Sequence, residues 1–420
     1  MPAGVKNFVP GRLTMAREAR AMRQKELAEC IGKTPATVSK WESEDYSQTP
    51  EPATLGKLAE TLSVEPDWFF KPLYPSRSLV LDSYGSGKTH SAAVFYRSLK
   101  SELGVLRAKA RARLGFVEAI EEAVSDYVDL PAVDVPDLLD GRDVLRMRMD
   151  EIEGCADALR DHWAMPEGPV DDLLLLIENA GVVAAEDEIG SLKLDGVSRW
   201  SEETGRPYML LAKDKRVGAR RRLDAAHELA HIVLHRGVSQ DELEEHFDLI
   251  EDQAMVFAGA LLMPSRAFGD DVYSLSLDAL LQIKAKWKVS VGAMIKRLSS
   301  LGTISNENER RLWQYYSYRR WRGNEPLDDV LPVEGAQNLR TSIETIVEGD
   351  AATPSELRKE IGLSAADICG LTDLPGDYFE PRAPNVVRLQ PQRRQLEVSA
   401  EETTETGTVI TYLGQKTSER

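Results

Sequence analysis

Arg222–His235 reads RLDAAHELAHIVLH, and the rest of the chain is best understood outward from it. Three of the six histidines lie here, with His227, Glu228 and His231 in the order H-E-x-x-H. Leu223, Ala225, Ala226, Leu229, Ala230, Ile232, Val233 and Leu234 make the remainder apolar, which predicts a buried helix. An uncompensated polar group in such a setting costs roughly 2–7 kcal/mol. A divalent metal held by the imidazoles is the simplest compensation.

On a helix, His227 and His231 are one turn apart, with side-chain origins about 6 Å from each other, so both rings can reach one ion. Glu228 sits about 100° round, beside the ion but outside its ligand set, where it can take a proton from an attacking water. His235 lies roughly 12 Å along the axis from His227 and is not expected to be a third ligand. The next apolar stretch, Leu249–Met263 (LIEDQAMVFAGALLM), puts Glu251 on a stripe with Ala254, Met255, Ala258 and Leu262. His227, His231 and Glu251 leave one position open, as catalytic zinc requires. Asp248 or Asp252 would serve if this helix were rotated by one position, while Glu244 and Glu245 fall in a charged turn.

The 420 residues allow two or three domains. No apolar run approaches the length of a membrane span, and no n-region with a following h-region opens the chain, so a cytoplasmic protein is expected. Cys30, Cys155 and Cys369 are too far apart for a disulfide framework. The net charge of -17 argues against general nucleic-acid binding, but its distribution is uneven. Residues 1–41 hold eight Lys/Arg and three Glu, whereas residues 116–173 hold seventeen acidic and four basic side chains. A basic head can bind DNA locally while the acidic middle repels it.

The head, residues 1–73, predicts five short helices. Arg12–Met22 is followed by Gln24–Ile31, which Gly32 terminates. Thr34 caps the next helix, Pro35–Glu42, with Pro35 tolerated in its first turn. Val38 and Trp41 face inward, leaving Pro35, Ala36, Ser39 and Lys40 outside. Pro52–Leu62 and Glu65–Phe70 complete the unit. Two helices joined by a tight Gly turn, the second exposing small and basic residues, form a helix-turn-helix pattern. The recognition face is thin, since only Ser39 and Lys40 can donate hydrogen bonds from it.

Residues 74–93 read as a linker. Their Gly85-Ser-Gly-Lys-Thr89 resembles a phosphate loop but has Asp82 where a Gly is needed and no suitable buried strand before it. Residues 94–150 read as a helical connector, with a helix over 92–128 whose basic first half (Arg97, Lys100, Arg107, Lys109, Arg111, Arg113) forms a solvated face or extends a phosphate contact. Helices are expected at 143–162 and 169–180. Short apolar runs at 181–185, 196–198 and 207–212 predict a small sheet, and the edge of Tyr208–Ala212 is placed to pair with an extended peptide. Residues 306–380 read as a small α-rich unit whose aromatic run WQYYSYRRWR either packs into a core, the favoured reading, or grips a partner peptide or nucleic acid. Residues 381–420 read as a disordered tail. The fold class is mainly α with a small sheet, α+β, in residues 151–305.

Two resemblances bear on function. MRQKELAECIGKTPATVSKWE resembles the lambda-repressor-like helix-turn-helix family (Cro or xenobiotic-response-element type) over residues 11–73. That resemblance implies DNA contact by Gln24, a third helix (Thr34, Pro35, Ala36, Ser39, Lys40) in the major groove, and an Arg17–Glu42 ion pair. RRRLDAAHELAH followed by EDQAMVFAGALLMP resembles the ImmA/IrrE metallopeptidase family over residues 150–300, which implies zinc held by His227, His231 and Glu251, with Glu228 as base. Two positions depart from that family, which usually has Phe at 223 and Asn at 255. Its members often carry a helix-turn-helix domain and act on repressors.

One expectation is therefore an operator-binding regulator whose zinc endopeptidase domain cleaves a repressor or similar protein, in trans or in cis. The other is a non-catalytic transcription factor or antitoxin-like regulator whose metal domain senses or scaffolds. Glu228 favours the enzyme, because a purely structural zinc needs no base. Repressor-like heads work as dimers, which leaves a homodimer open.

Overall fold

Thr34 accepts the Thr37 N–H and so fixes where the third helix begins. The computed structural model describes residues 4–45, 48–73, 81–84, 93–191, 194–201, 204–214 and 217–380. The tail expected at 381–420 and the glycine-rich stretch at 85–89 lie outside them. In the head, α1 (Pro10–Ala19), α2 (Gln24–Ile31), α3 (Pro35–Trp41), α4 (Pro52–Leu62) and a 3-10 turn at Pro66–Phe70 surround Leu13, Leu27, Val38, Leu58 and Trp68. Gly32 ends α2 at φ 67°, a left-handed conformation that glycine adopts without a Cβ penalty.

The sheet differs from expectation in two ways. Its strands are β1 (Leu81–Tyr84), β2 (Val183–Asp187), β3 (Leu194–Trp200) and β4 (Pro207–Ala212), in the order β1-β3-β4-β2. β4 lies between β3 and β2, antiparallel to one and parallel to the other, so the free edge expected at Tyr208–Ala212 does not exist. β1 lies inside the expected linker and pairs antiparallel with β3, Ser83 opposite Gly196. Asp82 sits within this antiparallel edge strand, a context unlike the parallel strand that precedes a phosphate loop.

The pleat of the sheet divides two cores. Met209 and Leu211 pack with α8 (Gly218–Leu234) and α9 (Gln240–Leu262), whereas Tyr208, Leu210 and Ala212 join the core of the head. This is the period-2 alternation of a sheet buried on both faces. The expected connector is not peripheral. Its helix α5 (Ala93–Ser125) buries Leu114, Phe116, Val117 and Ile120 between α1 and the sheet. Arg113 on α5 is buried and paired with Asp187 and Asp367, so it is neither solvated nor a phosphate contact, and Lys109 donates to the Glu188 carbonyl at 2.7 Å. Arg97 and Lys100 have side chains outside the described set.

The expected unit at 306–380 is split between the same two cores. After α6 (Met149–His162), α7 (Leu173–Asn179), α10 (Ser265–Asp271), α11 (Leu277–Trp287) and α12 (Val291–Ser300), helix α13 (Asn306–Tyr318) contributes Leu312 and Tyr316 to the core around α8. Trp321 joins them, as packing of the aromatic run requires, while Tyr315 and Tyr318 are exposed. Buried Lys284 pairs with Glu325 at 2.8 Å and Asp328 at 2.5 Å, and Glu325 also accepts the Val291 and Gly292 N–H groups that open α12. By contrast, α14 (Asn338–Glu348), α15 (Pro354–Ile361) and α16 (Ala365–Thr372) belong with the head and α5.

α15 and α16 repeat the local design of α2 and α3. Glu26, Leu27, Ile31, Gly32, Thr34, Ala36 and Val38 correspond at constant spacing to Glu356, Leu357, Ile361, Gly362, Ser364, Ala366 and Ile368. Gly362 is left-handed at φ 82°, as Gly32 is, and Ser364 caps α16 as Thr34 caps α3. The use differs, because α16 buries Asp367, Ile368, Cys369, Leu371 and Thr372, whereas α3 leaves its outer face exposed. The two modules also touch. Val64 bridges Leu363, the Glu65 N–H donates to the Gly362 carbonyl at 2.9 Å, Arg358 pairs with Glu65 at 2.9 Å, and Arg20 pairs with Asp367 at 2.5 Å.

Glu178, buried at the end of α7, accepts the N–H groups of Gln337 at 3.0 Å and Asn338 at 2.9 Å. Burial outweighs these hydrogen bonds and raises its carboxyl from 4.5 to about 7. The folded state therefore binds the proton more tightly than the unfolded one. This contribution is full below pH 4.5 and is lost as pH rises to about 7, on the order of 3 kcal/mol. Glu178→Gln, which keeps an acceptor oxygen, is expected to flatten that part of the stability curve, read by urea denaturation at stepped pH.

Candidate metal centre and DNA-facing helix

α8 buries Ala225, Ala226, Leu229, Ala230, Val233 and Leu234, and with them His227, Glu228 and His231. The Nε2 atoms of His227 and His231 lie 3.1 Å apart. Glu251 on α9 faces both, with one carboxylate oxygen 3.4 Å from His227 Nε2 and the other 3.5 Å from His231 Nε2. A tetrahedral ion with ligand bonds of about 2.0–2.1 Å has neighbouring ligand atoms about 3.4 Å apart, and each nitrogen lies at about that distance from one of the two Glu251 oxygens, close enough for the three side chains to share one ion. Among the described residues, His227, His231 and Glu251 form the one group of His, Cys, Asp and Glu side chains spaced to hold an ion. Glu251 Oε1 is buried without a well-directed hydrogen bond, which marks an unmet need at this point.

Asp248 and Asp252, the rotated alternatives, are exposed. Glu244 and Glu245 lie in the first part of α9 rather than in a turn, exposed and before its kink at His246.

Glu228 is fully buried, and its position is set by β3. Ser198 Oγ donates to Glu228 Oε2 at 2.7 Å. A Cβ on Gly196 would stand 2.9 Å from Glu228 Cγ and Oε1, so only glycine leaves room for the acid. Neither residue was singled out from sequence, since a Gly and a Ser in a short strand carry no local mark of a neighbour thirty positions on. His235 is not among the side chains spaced to share an ion. It caps α8, fully buried, with Nδ1 3.0 Å from His231 Nδ1.

In the head, Pro35, Ala36, Ser39 and Lys40 lie exposed on α3, as does Thr34 before it. Gln24 opens α2 half-buried and donates to Glu42 Oε2 at 2.8 Å, and Arg17 pairs with Glu42 at 2.6 Å. The amide of Gln24 is therefore held beside α3 by the same carboxylate that ties α1 to it. Arg23 and Lys33 are further exposed basic side chains around this face that the sequence reading did not include.

Comparison with known families agrees with both resemblances. Residues 13–69 match the helix-turn-helix family HTH_3, and residues 177–299 match the IrrE N-terminal-like domain of the Peptidase_M78 family. No curated protein matches the chain. The chain thus joins an N-terminal helix-turn-helix domain to an ImmA/IrrE-type domain, giving a regulator that carries a domain of metallopeptidase type.

Gly196→Ala is expected to cost about 1–3 kcal/mol, because the added methyl must displace a buried, hydrogen-bonded side chain. A denaturation midpoint equal to wild type would show that Glu228 can move freely, contrary to the packing described.

Proposed function

We propose that the protein is an operator-binding regulator whose ImmA/IrrE-type domain is a zinc endopeptidase. What carries this reading is the convergence of His227 Nε2, His231 Nε2 and Glu251 within reach of one ion, with Glu228 on the next position of α8 outside that set. His227, His231 and Glu251 hold the ion. When bound, zinc supplies the Lewis acidity that activates water and polarises a peptide carbonyl. Glu228, oriented by Ser198, takes the proton of the attacking water and passes it to the leaving amine. Helix α3 enters the major groove, with Ser39 and Lys40 as its donors and Gln24 and Thr34 at its border.

The protein substrate is a repressor or similar regulator, since the peptidase is tied to a DNA reader. A specific observation supports action in cis as well. β1 brings the chain's own Leu81–Tyr84 against β3, with Ser83 opposite the Gly196 that abuts Glu228. An extended peptide paired with a sheet edge is a recurrent mode of substrate capture. The described helices include none long and apolar enough to cross a membrane, in keeping with a cytoplasmic regulator.

Glu228→Gln is expected to retain about one zinc per chain and to lose cleavage of the regulator by about 10²–10⁴-fold. Equal proteolysis by wild type and variant, followed by mass spectrometry of both the regulator and the chain itself, would reject the enzyme. For the head, Lys40→Ala should weaken binding to the chain's upstream DNA and reduce its salt dependence in a shift assay. An unchanged salt slope would remove Lys40 from the interface.

A further inference from the structure

The imidazole pair of α8 continues into a buried relay. His231 turns Nε2 toward His227 and Glu251, and its Nδ1 lies 3.0 Å from His235 Nδ1. His235 Nε2 lies 3.1 Å from Gln253 Oε1, and Gln253 Nε2 donates to the Val144 carbonyl at 2.7 Å. His231 is 1% exposed, and His235 and Gln253 are 0% exposed, so bulk solvent does not reach these bonds.

The far end of the relay fixes every proton in it. A carbonyl oxygen only accepts, so Gln253 must turn its NH2 to Val144 and its oxygen to His235. That oxygen requires a donor, which places hydrogen on His235 Nε2. A neutral imidazole carries one N–H, so His235 Nδ1 is bare and accepts from His231 Nδ1–H. The lone pair of His231 is then on Nε2, the atom that faces Glu251. His227 has no such support, because its Nδ1 is buried without a hydrogen-bond partner.

We infer that Gln253 and His235 are positioning residues that hold His231 as its Nδ1–H tautomer and so present its Nε2 lone pair to a divalent metal. The relay is built into the metal-free chain, and only its purpose rests on the metallopeptidase reading. It lies outside the ligand set and links α9 and the backbone at Val144, in the short 3-10 turn before α6, to the end of α8. Outer hydrogen bonds of this kind fix ring orientation and raise ligand basicity, and their loss typically lowers metal affinity by about 10–100-fold.

Two variants separate this role from bulk packing. Gln253→Leu keeps volume and removes the acceptor, whereas Gln253→Glu keeps an acceptor toward His235. In the full-length, metal-free protein, nitrogen-15 NMR of the histidine side chains should find His231 with hydrogen on Nδ1 in wild type and in Gln253→Glu, and a tautomer mixture in Gln253→Leu. Zinc affinity, measured by chelator competition, should fall about 10–100-fold in Gln253→Leu and stay within about threefold in Gln253→Glu. Hydrogen on His231 Nε2 in the wild type overturns the inference, as does unchanged zinc affinity in a folded Gln253→Leu. Should Gln253→Leu fail to fold, the wild-type tautomer decides. A wild type that binds no zinc while His231 keeps the expected tautomer supports the relay and ends the metallopeptidase reading.

Discussion

Glu228 is fully buried on an apolar helix that also carries two buried imidazoles, and the neighbouring elements conform to that constraint. A carboxylate so placed must be hydrogen-bonded or paired, or it neutralises. β3 answers with the Ser198 hydroxyl and with a glycine where any side chain would collide. α9 serves the imidazoles instead, with Glu251 opposite the two rings. The strand and the second helix are thus fixed against α8 by polar chemistry as well as by area. A core of leucine and valine alone would tolerate repacking, whereas directed polar contacts restrict how these side chains can be placed.

The sheet transmits that order to the other half of the molecule. Met209 and Leu211 touch the peptidase-type core while Tyr208, Leu210 and Ala212 touch the core shared with the head, so neighbouring residues of one strand serve both. Arg113 adds a charged tie, paired at once with Asp187 at the end of β2 and with Asp367 on α16. Asp367 in turn holds Arg20 of the head, and these pairs keep its carboxyl below the usual range in spite of its burial. Removing one partner would leave buried charge unmatched, which is more costly than never having placed it there.

Much of the centre was legible because its signals are local. The i, i+4 histidines, the acid on the stripe of the next helix, and the Thr34–Pro35 start of α3 each follow from helical spacing or capping over a few residues. What escaped reading depends on distant partners. Arg113 looks like any surface arginine until Asp187 and Asp367 fold against it. Leu81–Tyr84 is too short to announce a strand, and its pairing is set by β3 more than a hundred residues later. The run at 306–380 has helical periodicity throughout, yet nothing in it marks that α13 and α14 belong to different cores. The resemblance of α15–α16 to α2–α3 was present in the letters, and only the matching left-handed glycines and caps make it conspicuous.

That second module changes what a break in the chain between the head and α5 would accomplish. Covalent continuity is not the only tie holding the head, since Val64, Glu65 and Arg20 grip Leu363, Gly362, Arg358 and Asp367 from the far end of the sequence. A nicked molecule would remain a two-piece complex, and the head would leave only when this clasp and the packing of α1 on α5 had both let go, rather than at the rate of hydrolysis. The interval between cutting and release is then a property of these contacts, adjustable by salt and by the residues of α15 and α16 without altering the cutting site. Contacts far in sequence from the head would thus decide how long it stays after a cut.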